Sequence, residues 1–144
     1  MTPKQVALVQ DSFAKVALSE ATAVLFYDRL FEIAPQMSAM FPADMIEQRR
    51  KLMAMLAAVV KGLGNLEQVL PAASALAKRH VSYGAKARHY PVVGAALLWT
   101  LEEGLGDGWT PEVADAWRTA YGTLSGYMIS EAYGRGQVPS KDIL

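Results

Sequence analysis

The chain has 144 residues, with 14 Lys+Arg balanced by 14 Asp+Glu, and no cysteine. Zero net charge gives no reason to expect a nucleic-acid groove or a polybasic membrane anchor, and the lack of cysteine excludes disulfides, thiolate zinc sites and cysteine-held iron–sulfur clusters. Hydrophobic residues make up 52% and charged residues 19%, so one domain over residues 1–144 is expected, with a large apolar interior that has room for an apolar ligand.

Thr2-Pro3-Lys4-Gln5 reads as a helix start: Thr2 caps, Pro3 suits the first helical position and Gln5 completes a capping box. Val6, Val9, Phe13 and Val16 follow at helical spacing, so one face is buried. After Ser19, a second helix is predicted from Glu20 to Ala34, with Val24, Tyr27, Leu30, Phe31 and Ile33 inside, and Pro35 stops it. Gln36–Pro42 reads as a short helical turn and a corner, with Phe41 just before Pro42. A long helix is predicted from Asp44 to Gly62, with Met45, Gln48, Leu52, Leu56, Val59 and Leu63 as its buried row and Glu47, Arg49, Arg50 and Lys51 on its polar face.

Gly62 and Gly64 end that helix. Asn65 with Gln68 suggests a further capping box, and helical spacing continues from Leu66 to His80, with Pro71 imposing a break or a new start and Gly84 closing the segment. Pro91–Leu105 is an apolar helix, Gly104, Gly106 and Gly108 form a loop, and Thr110-Pro111 starts a last helix that reaches Tyr133. Its row is Val113, Trp117, Ala120, Leu124, Tyr127 and Met128, and a loose tail is expected after Gly134, residues 136–144 above all. With no competing alternation of β-branched residues, six or seven helices and an all-α class are expected. The N-terminus lacks the apolar core of a signal peptide, and runs such as Met53–Val60 are too short to span a bilayer. A cytoplasmic protein that binds neither membrane nor nucleic acid is the expectation.

Few residues can carry chemistry. His80 lies on the apolar side of its helix near the C-terminal end; taken singly, it is more simply a histidine favoured there by the helix dipole. His89 stands nine residues on, across a glycine loop, so the two do not share a helix face. HExxH and ExxH motifs are absent, which argues against a protein-only zinc or di-iron site. One histidine suffices, however, where a macrocycle supplies the other ligands. Tyr27 and Gln48 are polar members of buried rows; they either bond each other or backbone carbonyls, or converge on a ligand, because leaving them unbonded costs roughly 1–3 kcal/mol. Glu102-Glu103 and Arg49-Arg50-Lys51 read as solvated faces, the latter with one or two cations able to meet a carboxylate ligand.

The residues Leu25-Phe26-Tyr27, Phe41, Gln48 with Leu52, Lys78-Arg79-His80, His89-Tyr90-Pro91-Val92-Val93-Gly94 and Ala116-Trp117-Arg118-Thr119-Ala120-Tyr121-Gly122 form an ordered set. In order and spacing it resembles the globins, and more narrowly the single-domain bacterial haemoglobins related to the haem domain of flavohaemoglobins, over residues 3–133. The resemblance implies a globin fold of six to seven helices around a pocket for haem b (iron protoporphyrin IX). In this likeness His80 matches the proximal iron ligand, Tyr27 and Gln48 the distal hydrogen-bonding pair, Leu52 the apolar residue that narrows the pocket, and Phe41 the aromatic that packs on the haem. Tyr90 matches a tyrosine that, with a glutamate of the last helix, hydrogen-bonds around the proximal histidine. Glu131 is the candidate for that glutamate, although the family position falls on Ala132, and one residue is a rotation of about 100°.

The resemblance further implies binding of oxygen, nitric oxide and carbon monoxide at a pentacoordinate iron, for oxygen binding or scavenging or nitric oxide detoxification. A distal donor worth roughly 1.5–3 kcal/mol would slow oxygen release about tenfold to hundredfold, and two candidate donors predict tightly held oxygen. Two other readings stand beside it: a nitric oxide dioxygenase served by a separate reductase, since no flavin domain is expected before the chain ends at Leu144, and a haem-based sensor module. Propionate partners are sought among Arg49, Arg50, Lys78, Arg79 and Lys86, and a monomer or weak homodimer is expected.

Overall fold

The first helix begins where the sequence places it. The Thr2 hydroxyl accepts from the Gln5 amide at 3.1 Å, and the Gln5 side chain accepts from the Thr2 amide at 3.0 Å. Each bond satisfies an N–H that the helix itself cannot. The structure, a computed structural model, describes residues 1–16, 20–82, 86 and 88–133. The elements are α1 (Pro3–Lys15), α2 (Glu20–Ile33), a 3₁₀ turn (Pro35–Met40), α3 (Ile46–Gly62), α4 (Leu66–Ser82), α5 (His89–Leu105), a 3₁₀ turn (Gly106–Gly108) and α6 (Pro111–Tyr133). Among the described residues all repeating structure is helical, and no helix is long and apolar enough to cross a membrane. Ser19, Gly84 and the tail after Gly134 lie outside the described residues.

α1, α5 and α6 form a buttress. Val9, Phe13 and Val16 are buried from α1, and Val113, Ala116, Trp117 and Ala120 from α6. The Phe13 and Trp117 rings stand 6.2 Å apart. The Trp117 indole N–H donates to the Ser12 hydroxyl at 2.8 Å, and Ser12 donates on to the Val9 carbonyl at 3.0 Å. Both polar groups are thereby satisfied inside an apolar contact, where an unmet one costs about 1–3 kcal/mol. α2 lies against α5, and α4 lies against α6.

Three expectations need correction. The buried face of α2 is Ala23, Phe26, Tyr27 and Leu30, continued by Ala34, whereas Val24 is 36% and Ile33 41% exposed. That face follows the three-and-four step of a helical stripe; Val24 stands one residue, about 100°, from Ala23 and so turns out of it. Pro71 does not interrupt α4. As the sixth residue of the helix it forfeits the bond to the Glu67 carbonyl and crowds that carbonyl, a cost of about 3 kcal/mol, yet α4 runs on through it to Ser82. α5 starts at His89 rather than Pro91, which puts Pro91 in the first turn, where its missing N–H has no intrahelical role. α5 ends at Gly106, whose φ of +54° lies in the left-handed region that favours glycine.

Candidate functional site

Two groups of side chains, from opposite parts of the chain order, carry the candidate chemistry. The first comes from α2, α3 and the corner between them. Tyr27, 5% exposed, packs edge-on against Phe26 at 4.9 Å and Phe41 at 5.6 Å, and Phe31 lies 5.9 Å away. Phe31 and Phe41 also meet, at 5.5 Å. Such ring pairs are each worth about 0.5–1.5 kcal/mol beyond their burial, so the corner after Pro35 is clamped onto α2.

From α3, the Gln48 amide nitrogen donates to the Tyr27 phenolic oxygen at 3.1 Å. The two polar members of the buried rows therefore bond each other. The direction of that bond matters: it occupies a lone pair of Tyr27 and leaves the phenolic hydrogen for another acceptor. Burial pushes the Tyr27 phenol up, with the Gln48 donation pulling the other way, so the group stays a protonated donor. Leu52 stands four residues, one turn, beyond Gln48 and is half-buried like it.

The second group comes from α4 and α5. His80 is half-buried near the end of α4, and Tyr90 is buried in the first turn of α5. Their rings meet edge-on with centroids 6.3 Å apart. Burial, then the neighbouring Arg79 cation, holds the His80 imidazole below its ordinary value. It is neutral at pH 7, the form with a lone pair to give to a metal.

Tyr121 is a participant that sequence reasoning quoted without giving it a role. Its hydroxyl donates to the Tyr90 carbonyl, and burial pushes its phenol well up. Its ring lies over Gly94, where an added Cβ would stand 2.6 Å from the ring. The glycine is the available signal: a helical Gly inside an apolar run marks a close approach.

Glu131 is exposed, and one of its oxygens accepts from Ser74 at 2.9 Å and from Tyr127 at 3.1 Å. Those two donors, with some help from Lys78, hold its carboxyl below the usual range. Ser74 precedes His80 by six residues, about 9 Å along a helix axis. Glu131 is thus brought to α4, but at Ser74. His89 is engaged locally, its Nδ1 accepting from the Lys86 amide at 2.9 Å.

Among the described residues, no three His, Asp or Glu side chains gather to hold a metal ion. A metal on His80 must therefore bring its other ligands, as an iron porphyrin does. The apolar surroundings suit such a group. Phe41, Leu52, Leu56, Val92, Val93 and Leu98 all pack on the core, yet the protein leaves each partly uncovered. A neutral imidazole, a polar pair and an under-covered apolar row fit a haem.

The globin family model matches residues 24–128. A flavohemoprotein of Bacillus subtilis is 33% identical over 107 residues, 72% of this chain and 27% of that protein. A flavohemoprotein of Rhodopirellula baltica is 32% identical over 133 residues, 90% of this chain and 33% of that protein. The chain spans a third or less of the length of these two relatives. Among solved structures, a bacterial globin of Campylobacter jejuni superposes with a TM-score of 0.79 at 27% identity, covering 91% of this chain and 96% of that one. An engineered carbene transferase from Rhodothermus marinus, provisionally assigned as a nitric oxide dioxygenase, superposes with a TM-score of 0.81 at 26% identity, covering 92% and 93%. With its residues 24–128 matched by the family model and its helices superposing on those of bacterial globins, the chain belongs to the globin family, and that membership implies haem binding.

Proposed function

We propose that this globin carries haem b on His80 and binds oxygen and other diatomic gases beneath Tyr27 and Gln48, in the service of oxygen scavenging or nitric oxide detoxification. The observation that carries the reading is the Gln48–Tyr27 bond inside the aromatic clamp. When bound, haem b supplies an iron with an open coordination position, which no side chain can offer.

The chain's own residues do the rest. His80 gives a neutral nitrogen, and Tyr90 limits the tilt of that ring. Gln48, by donating to Tyr27, polarises the phenol, and its O–H becomes the stronger donor toward a ligand that takes on negative charge. Phe41 and Leu52 exclude water, which would compete for that O–H. Tight retention of oxygen suits scavenging or reaction with nitric oxide better than bulk transport.

The nitric oxide dioxygenase reading has its own support in the flavohemoprotein relatives and in the Rhodothermus marinus protein. In that reading a separate reductase supplies the electrons. The purified protein should show an intense Soret band, and His80→Ala should abolish or severely weaken it. An unchanged haem stoichiometry and spectrum in that variant would sink the assignment.

A further inference from the structure

α4 carries His80 near its C-terminal end with little apolar surface to hold that end in place. Pro71, nine residues before His80, removes a backbone hydrogen bond and weakens the helix there. Beyond Pro71, the buried side chains of α4 among the described residues are Ala73 and Ala77. A methyl group covers little area, so burial does little to fix this half of the helix. Leu76 is only half-buried.

The grip on this half of α4 is polar. Ser74 and Lys78 stand one turn apart on α4, and Tyr127 and Glu131 stand one turn apart on α6. The Ser74 hydroxyl donates to a Glu131 carboxylate oxygen at 2.9 Å, and the Tyr127 hydroxyl donates to the same oxygen at 3.1 Å. Ser74 first, then Tyr127, and Lys78 through its charge hold the Glu131 carboxyl below its usual range, so it is ionised at pH 7. Hydrogen bonds to an ionised acceptor are roughly twice as strong as those between neutral groups. The latch therefore ties α4, just past its weak point, to the long α6.

His80 lies on a different side of α4 from the latch. Six residues separate it from Ser74, which is about 9 Å along the helix axis and about 120° around it. Ala73 and Ala77, seven and three residues before His80, share its side. Held at Ser74, Glu131 acts on His80 through the body of the helix and not by touching the imidazole.

We propose that Glu131 is a positioning residue for His80: through Ser74 and Tyr127 it pins the half of α4 beyond Pro71 to α6, and so fixes where the imidazole is presented to the haem. This inference rests on the haem reading above. It differs from a carboxylate bonded to the imidazole itself, which would act by raising the basicity of the ligand.

The test compares Glu131→Ala, Ser74→Ala and Glu131→Gln with the parent chain. In the haem-loaded ferrous protein, resonance Raman spectroscopy reads the iron–histidine stretching band. Both alanine variants should shift or broaden that band alike, and combining them should add nothing, because each breaks the same bond. Glu131→Gln should keep the parent band, since its amide oxygen still accepts from Ser74 and Tyr127. In the apo-protein, the amides of residues 75–80 should exchange about threefold to tenfold faster in both alanine variants, with those of α1 unchanged. Glu131 is exposed, Ser74 is only partly covered and alanine favours helix, so the variants should fold. An unmoved band in the alanine variants, or unchanged exchange, would overturn the proposal. So would a band that moves in Glu131→Gln but stays in place in Ser74→Ala, the pattern of a carboxylate bonded to His80. A parent chain that takes up no haem would overturn the function reading, and exchange alone would then decide the latch.

Discussion

The buttress of α1, α5 and α6 and the walls made by α2, α3 and α4 use the same helical stripes, but protein covers them to different degrees. Val9, Ala96 and Ala116 are fully buried in the buttress, and Trp117 nearly so. On α3, Gln48, Leu52 and Leu56 are only half-buried, and His80 on α4 is likewise. The division even runs within α3, whose far end joins the core through Val60 and the following Leu63. Where a stripe is closed by other helices, it supplies stability. Where it is left open beside polar residues, it supplies a place for something else.

The largest effect that would sharpen this contrast is in the buttress. Trp117→Ala should cost about 3–5 kcal/mol in chemical denaturation of the apo-protein, a large part of an ordinary domain's roughly 5–15 kcal/mol. A cost below about 1 kcal/mol would mean the buttress is not where stability resides. The walls should respond in the opposite way. Tyr27→Phe should leave stability within about 1 kcal/mol yet speed oxygen dissociation by about tenfold or more. An unchanged off-rate would pass the donor role to Gln48.

The smallest effect is the response to acid. Among the described residues Ser12 and Thr100 are buried, and neither titrates. His80 does, and its folded value lies below its ordinary 6.5 because of burial and Arg79. Between those two values the unfolded chain binds a proton that the folded chain does not. Stability of the apo-protein should therefore decline as pH falls through 6.5, and level off once the lowered folded value is passed. Denaturation midpoints measured between about pH 7 and 5 should show a shallower decline in His80→Ala; parallel curves would remove His80 as the source.

The sequence makes these regions legible to different extents. The α1 cap is readable because Thr2 and Gln5 are three residues apart, and so is the Thr110 cap of α6, whose hydroxyl accepts from the Val113 amide at 3.2 Å. Tyr27 and Gln48 can be picked out as polar members of apolar rows, although only the fold shows that they bond each other. The face of α2 is misread because Val24 and Ile33 are apolar without being covered. The Ser12–Trp117 bond spans 105 residues, and the Ser74–Glu131 bond spans 57. Both depend on how helices cross, which no local spacing encodes. Tyr121 is missed for the same reason, its partner being a carbonyl on another helix.

The bond between Ser12 and Trp117 also has a consequence in time. α1 leaves the ribosome first, and the helix that closes over it comes last. At about 5–20 residues per second, the 105 residues between the two partners take roughly 5–20 s to make. For that interval Val9, Phe13 and Val16 have no Trp117 to pack against. The nascent chain therefore carries an uncovered apolar stripe over that interval, open to chaperones or to transient contacts with α2 and α3 until α6 arrives.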